Sequence, residues 1–487
     1  MDTMIHLQNT YSSLPKDFHR SINPTSVKDP KFLSLNKRLL LELGIDNLDD
    51  NLLLSYFSGN SLPKESIPLS MTYAGHQFGN FVPQLGDGRA ILLGELTDKS
   101  GKLNDIQLKG SGPTAYSRQG DGRSAIGPVI REYIISEAMH AMNIPTTRAL
   151  AAVSTGENVQ REGSVKGGIL TRVANSHIRV GTFEFFRARE DYENLKVLAD
   201  YVMNRLYPEI SEEENKYLLL FKYIARRQST LISKWMSVGF IHGVMNTDNF
   251  SISGETIDYG PCAFIDEYDP ETVFSSIDRH GRYKFSNQPN IALWNLSCLA
   301  GCLLPIIDGD QKVKEGMIQK ALEDFAKDID ENINIEMTKK IGLNHSKNNH
   351  SQMKDLLKMM RENKSDFTLT FRSLAKALYD ENEAFLENFI DSEKPNQWLK
   401  DWKQIITKQI EKKDVIAENL KNTNPIYIPR NHLIEKAISE FENEDSTEMM
   451  NKILQATSEP YIEQKGMNDL SIPPKDNEKV TQTFCGT

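Results

Sequence analysis

The chain has 487 residues, a formal net charge of −10, 39% hydrophobic and 25% charged residues, the balance of a globular protein long enough for two lobes with their own cores. An acidic chain argues against wholesale nucleic-acid binding, so a polyphosphate ligand has to be met by a local cluster of cations. No run of 18 apolar residues suggests a membrane span, Met1 to Tyr11 lacks the apolar stretch of a secretory signal, and four cysteines make no disulfide framework; a reducing, cytoplasmic setting without membrane or nucleic-acid partners is the expectation.

Residues 1–70 read as an N-terminal extension with short helical pieces such as Asn36 to Leu43. Residues 71–185 read as a small β-rich lobe, with glycines and short alternating apolar segments from Phe81 to about Val180. One helix interrupts it, roughly Ser124 to Met142, with Ile126, Ile130, Ile134 and Ala141 at helical spacing. Residues 186–455 read as a larger helical lobe. It opens with a strong helix over Tyr217 to Val238, passes through a loop-rich stretch, Gly239 to Asn290, and continues with a buried helix over Asn290 to Ile307. Amphipathic helices follow from 315 onward, broken by the polar stretch Asn344 to Gln352. Residues 456–487, with Pro473-Pro474 and many charges, read as a tail. The fold class expected from this order is α+β.

Five motifs carry chemistry. Gln84 to Ala90 places Gly86 and Gly88 beside Asp87 and Arg89 in a predicted strand-turn-strand, where glycines let backbone N–H groups approach phosphates; an ordinary hairpin turn uses the same residues. In Asp105 to Gly112, Ile106 and Leu108 should face one way and Gln107 and Lys109 the other, with the hairpin partner expected after the glycine turn. Lys109 then stands where a kinase-type fold keeps its phosphate-binding lysine, although most lysines are simply exposed. Such a lysine is oriented by a glutamate on the next helix. Glu132 and Glu137 both qualify by type, about 140° apart around the helix, and periodicity favours Glu137. His242 and Asn249 keep the spacing of a protein-kinase catalytic loop, but Val244 occupies the usual base position and Asp248 brings a carboxylate just before Asn249. Asp258-Tyr259-Gly260 matches the Asp-aromatic-Gly element that binds metal over nucleotide phosphates; an Asn249–Asp258 oxygen pair suits Mg²⁺ or Mn²⁺.

Together with Tyr73 to Gly79 and Arg118 to Arg123, these motifs resemble the selenoprotein O family over about Leu7 to Ile307, and more loosely beyond. The resemblance implies a protein-kinase-like bilobal fold and an ATP-dependent enzyme that transfers AMP to Ser, Thr or Tyr hydroxyls of proteins, including itself, with a divalent metal. It further implies that Gly86, Gly88, Arg89, Lys109, Asp121, Gly122, Arg172 and Arg179 contact ATP. Asp248 would accept the proton, Asn249 and Asp258 would bind metal, Asp258 would also contact the nucleotide, and Glu132 rather than Glu137 would orient Lys109. Attack at the α-phosphate builds charge on departing pyrophosphate, and Lys109, Arg172 and Arg179 are the cations available to meet it.

The family often ends with a cysteine or selenocysteine, and this chain ends Cys485-Gly486-Thr487. A redox-sensitive bridge to Cys262 is one reading, a free tail cysteine the other. Cys298 and Cys302, four apart on an apolar helix, read as core residues, and His76 is left without a role. Two rivals remain: a conventional phosphotransferase, which has to explain Val244, and an inactive ATP-binding scaffold, which has to explain Asp248, Asn249 and Asp258 together.

Overall fold

The computed structural model describes residues 5–409 and 411–484. It is a mixed α/β structure whose β layer is one antiparallel sheet. Seven strands lie in the order His19–Ser21, Leu69–Met71, Ala90–Thr97, Leu103–Lys109, Ser164–Ala174, Arg148–Gln160, Lys31–Leu35, and Ser124–Ala125 pairs additionally with Ser164–Ala174. Both ends of this order come from the first 35 residues, so the segment read as an extension supplies the sheet's two edge strands. Nothing in those short strands distinguishes them locally from loops; pairing across the finished sheet makes them strands.

Side-chain alternation on Leu103–Lys109 follows the expected pattern. Ile106 and Leu108 pack with Leu93, Leu96, Ile169 and Val173 under the N-terminal helices, in a core that also holds Leu39, Leu53 and Phe57. Gln107 and Lys109 point to the opposite face, where Gln107 donates to Asp87 and Lys109 to Glu132. The hairpin partner differs from expectation. Leu103–Lys109 pairs with the preceding strand Ala90–Thr97 and, on its other side, with Ser164–Ala174. The chain after Gly110 instead forms an irregular loop to Arg123, with Gly112 N donating to Gly122 O at 3.1 Å.

A second correction concerns Phe81 to Leu85. Asn80–Val82 pairs with Gly75–Gln77 in a separate two-stranded ribbon, and residues 83–89 run as a loop. The Gly86–Gly88 segment is therefore not the tip of a sheet hairpin. Its backbone is held by the segment before the ribbon, through Leu85 N to Tyr73 O at 2.8 Å and Asp87 N to Met71 O at 2.9 Å.

The helix Ile126–Ala141 crosses the sheet with Ile126, Ile130 and Ile134 all fully buried. It packs against Arg148–Gln160 on one side and the helices Asn431–Glu444 and Glu448–Ser458 on the other. The helix Lys216–Val238 ends at Gly239, in the left-handed region at φ 73, as a helix C-terminus favours. It packs on Gln288–Leu303 and on the long helix Gln311–Lys340. The polar stretch expected to break the helical region does so only in its first part: the chain leaves the helix at Lys340 and re-enters at Lys347–Asn363, capped by Ser346.

One segment, Phe285–Ile306, is long and apolar enough to cross a membrane by length and composition. Its surroundings account for that composition. It packs against Val180–Arg187 and Lys216–Val238, and the buried amides donate inside the protein, Asn295 Nδ2 to Met245 O and Gln288 Nε2 to Phe240 O, while Asn295 Oδ1 is buried without a hydrogen-bond partner. A core helix needs such pairing, since buried amides without partners are costly.

Candidate active site

A large open cleft lies beside the C-terminal end of Leu103–Lys109. Its walls are the 84–90 loop, the 116–123 loop, Arg172, Arg179, and the segments around Asp248 and Asp258. The 84–90 loop is shaped by contact with Tyr116. Gly86 stands at φ 85, and a Cβ there would lie 2.3 Å from the Tyr116 ring; at Gly88 a Cβ would lie 3.0 Å from Tyr116 O. Tyr116 is fixed by a hydrogen bond between its hydroxyl and Thr72, while Thr114 and Ser117 donate to the carbonyls of Asp87 and Gly88. Glycine is thus required here by backbone conformation and by close approach.

The cations expected to meet phosphate converge on one carboxylate. Lys109 Nζ donates to Glu132 at 2.6 Å and to Asp258 at 3.1 Å. Arg172 Nε donates to the other oxygen of Glu132 at 2.5 Å, and its Nη2 to Asp258. Arg179 donates to Asp258 at 3.2 Å, to Asp248 O at 3.0 Å and to Asp87 at 3.4 Å, with its guanidinium 4.6 Å above the Tyr73 ring. Burial by itself would raise the Asp258 pKa, but Arg172, Lys109 and Arg179 together hold it well below the usual carboxylate range. Lys109 is drawn below the ordinary lysine value by burial and then by neighbouring Arg172. It is one of three crowded cations.

Packing decides between the two helix glutamates. Glu132 is the partner of Lys109, whereas Glu137 accepts from Arg148, Asn36 and the backbone of Ala149 and serves the other side of the helix. The apolar stripe pointed to Glu137 because that face is also partly buried. A buried salt bridge on the opposite face, between Lys109, Arg172 and Glu132, leaves no mark in hydrophobic periodicity.

The loop from His242 to Asn249 is anchored from within. His242 Nδ1 accepts from Val244 N and its Nε2 lies 2.8 Å from Ile257 O. That assigns the neutral Nε2–H tautomer and ties this loop to the residue before Asp258. Val244 is buried and has no proton-accepting group. Asp248, 7% exposed, lines the cleft and accepts from Gln77 Nε2 at 3.2 Å through Oδ2, while its buried Oδ1 has no hydrogen-bond partner. Burial, only partly offset by Gln77 and Arg179, pushes its pKa up to about 6. Room for the carboxylate comes from Gly75, where a Cβ would meet Asp248 Oδ1 at 2.8 Å. Asn249 also lines the cleft; its Nδ2 is committed to Val244 O at 3.0 Å, which leaves its amide oxygen as the free end. Asp258 sits at φ 63, a conformation that costs a non-glycine residue on the order of 1 kcal/mol.

The remaining expected residues lie farther out. Arg89 lines the cleft beside Gly88, and Gly110 N donates to its carbonyl at 2.7 Å. Asp121 is at the rim, paired to Arg161 at 3.0 Å with its side chain 45% exposed. At Gly122, φ is +64 and a Cβ would lie 2.1 Å from Gly112 O. Four participants were not assigned roles from sequence. Tyr73 stacks on Arg179, Gln77 holds Asp248, Asp87 faces Arg179, and Glu184 accepts from Thr247 Oγ1 at 2.5 Å next to the Asp248 position. Tyr73 and Gln77 lie in a segment singled out as a motif, so position in the chain was the available signal; their partners were not.

A family model described as "Protein adenylyltransferase SelO" matches residues 3–458. The chain belongs to this family. Relatives of similar length are each named "Protein nucleotidyltransferase YdiU". The one from Maridesulfovibrio salexigens is 49% identical over 487 residues, covering 100% of this chain and 99% of the relative. That from Agrobacterium fabrum is 49% identical, covering 99% and 100%, and that from Bacillus cereus strain B4264 is 48% identical over 489 residues, covering 100% and 99%. Cys262 lies buried four residues beyond Asp258. Its suggested partner Cys485 falls outside the described residues.

Proposed function

We propose that this chain is a protein-kinase-like, two-lobed protein adenylyltransferase that moves AMP from ATP to Ser, Thr or Tyr hydroxyls of proteins, itself included, and releases pyrophosphate. The observation that carries this reading is Asp248. A carboxylate with a buried, unpartnered oxygen and a pKa of about 6 sits beside the cation cluster around Asp258, and such a group is ionised at neutral pH yet basic enough to take a proton.

The hydroxyl of an acceptor side chain loses its proton to the Asp248 carboxylate as its oxygen attacks the α-phosphorus. The bond to the bridging oxygen of the pyrophosphate breaks, and AMP is left esterified to the acceptor. Lys109, Arg172 and Arg179, which share Asp258, exchange part of that contact for oxygens of the β- and γ-phosphates. They meet the negative charge that grows on the leaving group. Glu132 keeps two of them aimed. Gly86 and Gly88 bare the loop backbone at two positions, with Arg89 as a further cation, and Asp121 and Gly122 belong to the loop at the nucleotide's far end.

The Asp258 carboxylate and the free amide oxygen of Asn249 are hard donors, and they fit Mg²⁺ or Mn²⁺ better than a soft ion. When bound there, such an ion supplies neutralisation of phosphate charge.

The test uses the purified chain, a generic protein acceptor, Mg²⁺ or Mn²⁺, and ATP labelled at either the α- or the γ-phosphate. Label on protein from α-labelled ATP alone, with a mass gain of one AMP, supports the proposal. Label from γ-labelled ATP alone means a phosphotransferase. ATP binding with neither label, across several acceptors, means an inactive scaffold.

A further inference from the structure

Behind the Asp248 loop, three elements distant in sequence bring together a set of donors that the adenylyl-transfer reading does not use. His76 comes from the ribbon strand Gly75–Gln77, Glu184 from the helix Val180–Arg187, and Cys298 from the helix Gln288–Leu303. A ring nitrogen, a carboxylate oxygen and a thiol sulfur from these residues all lie within 4.8 Å of one another. We propose that His76, Glu184 and Cys298 form a second metal site, selective for a borderline or soft divalent ion such as Zn²⁺ rather than for Mg²⁺ or Mn²⁺.

Donor type and geometry both favour that ion. Zinc takes one ligand atom from each of His, Glu and Cys at about 2.0–2.3 Å, so tetrahedral ligands stand roughly 3.3–3.8 Å apart. The atoms lie within 4.8 Å of one another; to reach that spacing His76 Nδ1 and Glu184 Oε1, now 2.5 Å apart, open by about an ångström while the longest separation closes by a similar amount, an adjustment within side-chain reach. Imidazole and thiolate discriminate against Mg²⁺, which prefers six oxygens. Glu184 is already oriented as a metal-binding carboxylate would be. Its Oε2 accepts from Thr247 Oγ1 at 2.5 Å and its Oε1 faces His76 Nδ1 at 2.5 Å. On binding, the ion takes the place of the proton between His76 and Glu184. That proton and the Cys298 thiol proton leave to solvent, while Thr247 stays on Oε2 as an outer hydrogen bond.

Glu184 is 4% exposed, whereas His76 is 26% exposed at its side chain and Cys298 is half-buried. The cluster is therefore rooted in the core yet reachable from solvent on the His76 side. The rings of Trp294 and Phe81 stand 5.2 and 5.0 Å from that of His76 and wall it from the side. Arg282, stacked on Trp294 at 4.6 Å, is a positive charge that favours the thiolate form of Cys298. Occupancy ties the ribbon to the catalytic loop, because the next residue, Gln77, is the donor to Asp248.

The experiment uses the full-length chain stripped with chelator and dialysed against Zn²⁺ in a large excess of Mg²⁺. One Zn²⁺ per chain is expected, with affinity falling roughly tenfold or more in Cys298→Ser and in His76→Ala, as loss of a ligand requires. Cys302→Ser should bind as the parent does. Co²⁺ in place of Zn²⁺ should give a thiolate-to-cobalt charge-transfer band that Cys298→Ser abolishes, while that variant keeps its circular dichroism and Mg²⁺-dependent ATP binding. Absence of zinc in the folded parent, unchanged affinity in Cys298→Ser, or cobalt bound without the band would each overturn the site. None of these readouts depends on adenylyl transfer, so failure here leaves the proposed function standing.

Discussion

Replacing Asp248 by asparagine should abolish turnover and at the same time stabilise the protein. In the folded chain the Asp248 pKa is about 6 against an ordinary 3.8. The difference, about 2 units at 1.36 kcal/mol each, makes the ionised carboxylate cost about 3 kcal/mol of folding free energy. Below pH 3.8 both folded and unfolded chains carry the proton and the cost is absent. Between pH 3.8 and 6 the folded chain holds a proton that the unfolded chain has lost, so stability falls as pH rises, and above pH 6 the full cost is present. The amide of the Asp248→Asn variant would remain neutral throughout, though it gives up the attraction of Arg179. With an unfolding entropy of about 2.1 cal/mol/K per residue over the chain's 487 residues, the variant should melt about 3 °C above the parent at pH 7.5. The gap should close toward pH 4. Differential scanning calorimetry across that range measures it, and ATP-binding calorimetry checks that the cleft is intact. In the parent, turnover should fall about tenfold per pH unit below 6, because the base must be ionised. A variant no more stable than the parent at pH 7.5, or a gap that does not shrink with acid, would refute burial as the source of the Asp248 shift.

Glu132→Gln leaves Lys109 and Arg172 without their shared carboxylate in a buried place. It should cost about 3–5 kcal/mol in denaturant unfolding and weaken ATP binding. Asp258→Ala should lose metal-dependent ATP binding and turnover together. Metal-free tripolyphosphate should bind it more tightly than the parent, because Lys109, Arg172 and Arg179 no longer share a carboxylate; calorimetry reads both. Gly86→Ala and Gly101→Ala make a matched pair, with φ at +85 and +86. At Gly101 nothing lies within 4 Å of the added Cβ, so the cost should be the backbone term of about 1 kcal/mol. At Gly86 the added methyl meets the Tyr116 ring at 2.3 Å, so unfolding should show a larger loss, with weaker ATP binding besides. Equal losses would mean that contact with Tyr116 does not shape the loop.

Much of the site was legible because its chemistry lies in short contiguous runs. His242 to Asn249 and Asp258 to Gly260 are each contiguous in the chain, so their spacing is readable whatever surrounds them. That position 244 holds a valine, and that the nearest carboxylate in the loop is Asp248, could be read directly from side-chain type. Helices such as Lys216–Val238 announced themselves through apolar repeats and a terminal glycine. Edge strands did not. His19–Ser21 and Lys31–Leu35 are strands because a sheet was there to receive them, and the 84–90 loop departed from the expected hairpin because Phe81 found its partner in the ribbon instead.

What the sequence by itself determined is the inventory of candidate groups and their local order: Asp248 beside Asn249, Asp258 before Tyr259 and Gly260, Lys109 at the end of a strand, and Gly86 and Gly88 flanking Asp87. What only the tertiary structure decided is which groups share a carboxylate. Glu132 rather than Glu137 meets Lys109, Arg172 and Arg179 converge on Asp258, and His76, Glu184 and Cys298 come within reach of one another from positions more than a hundred residues apart. Spacing along a chain encodes the faces of helices and strands, whereas charge pairing depends on which faces are packed together, and that is settled by burial of the whole core.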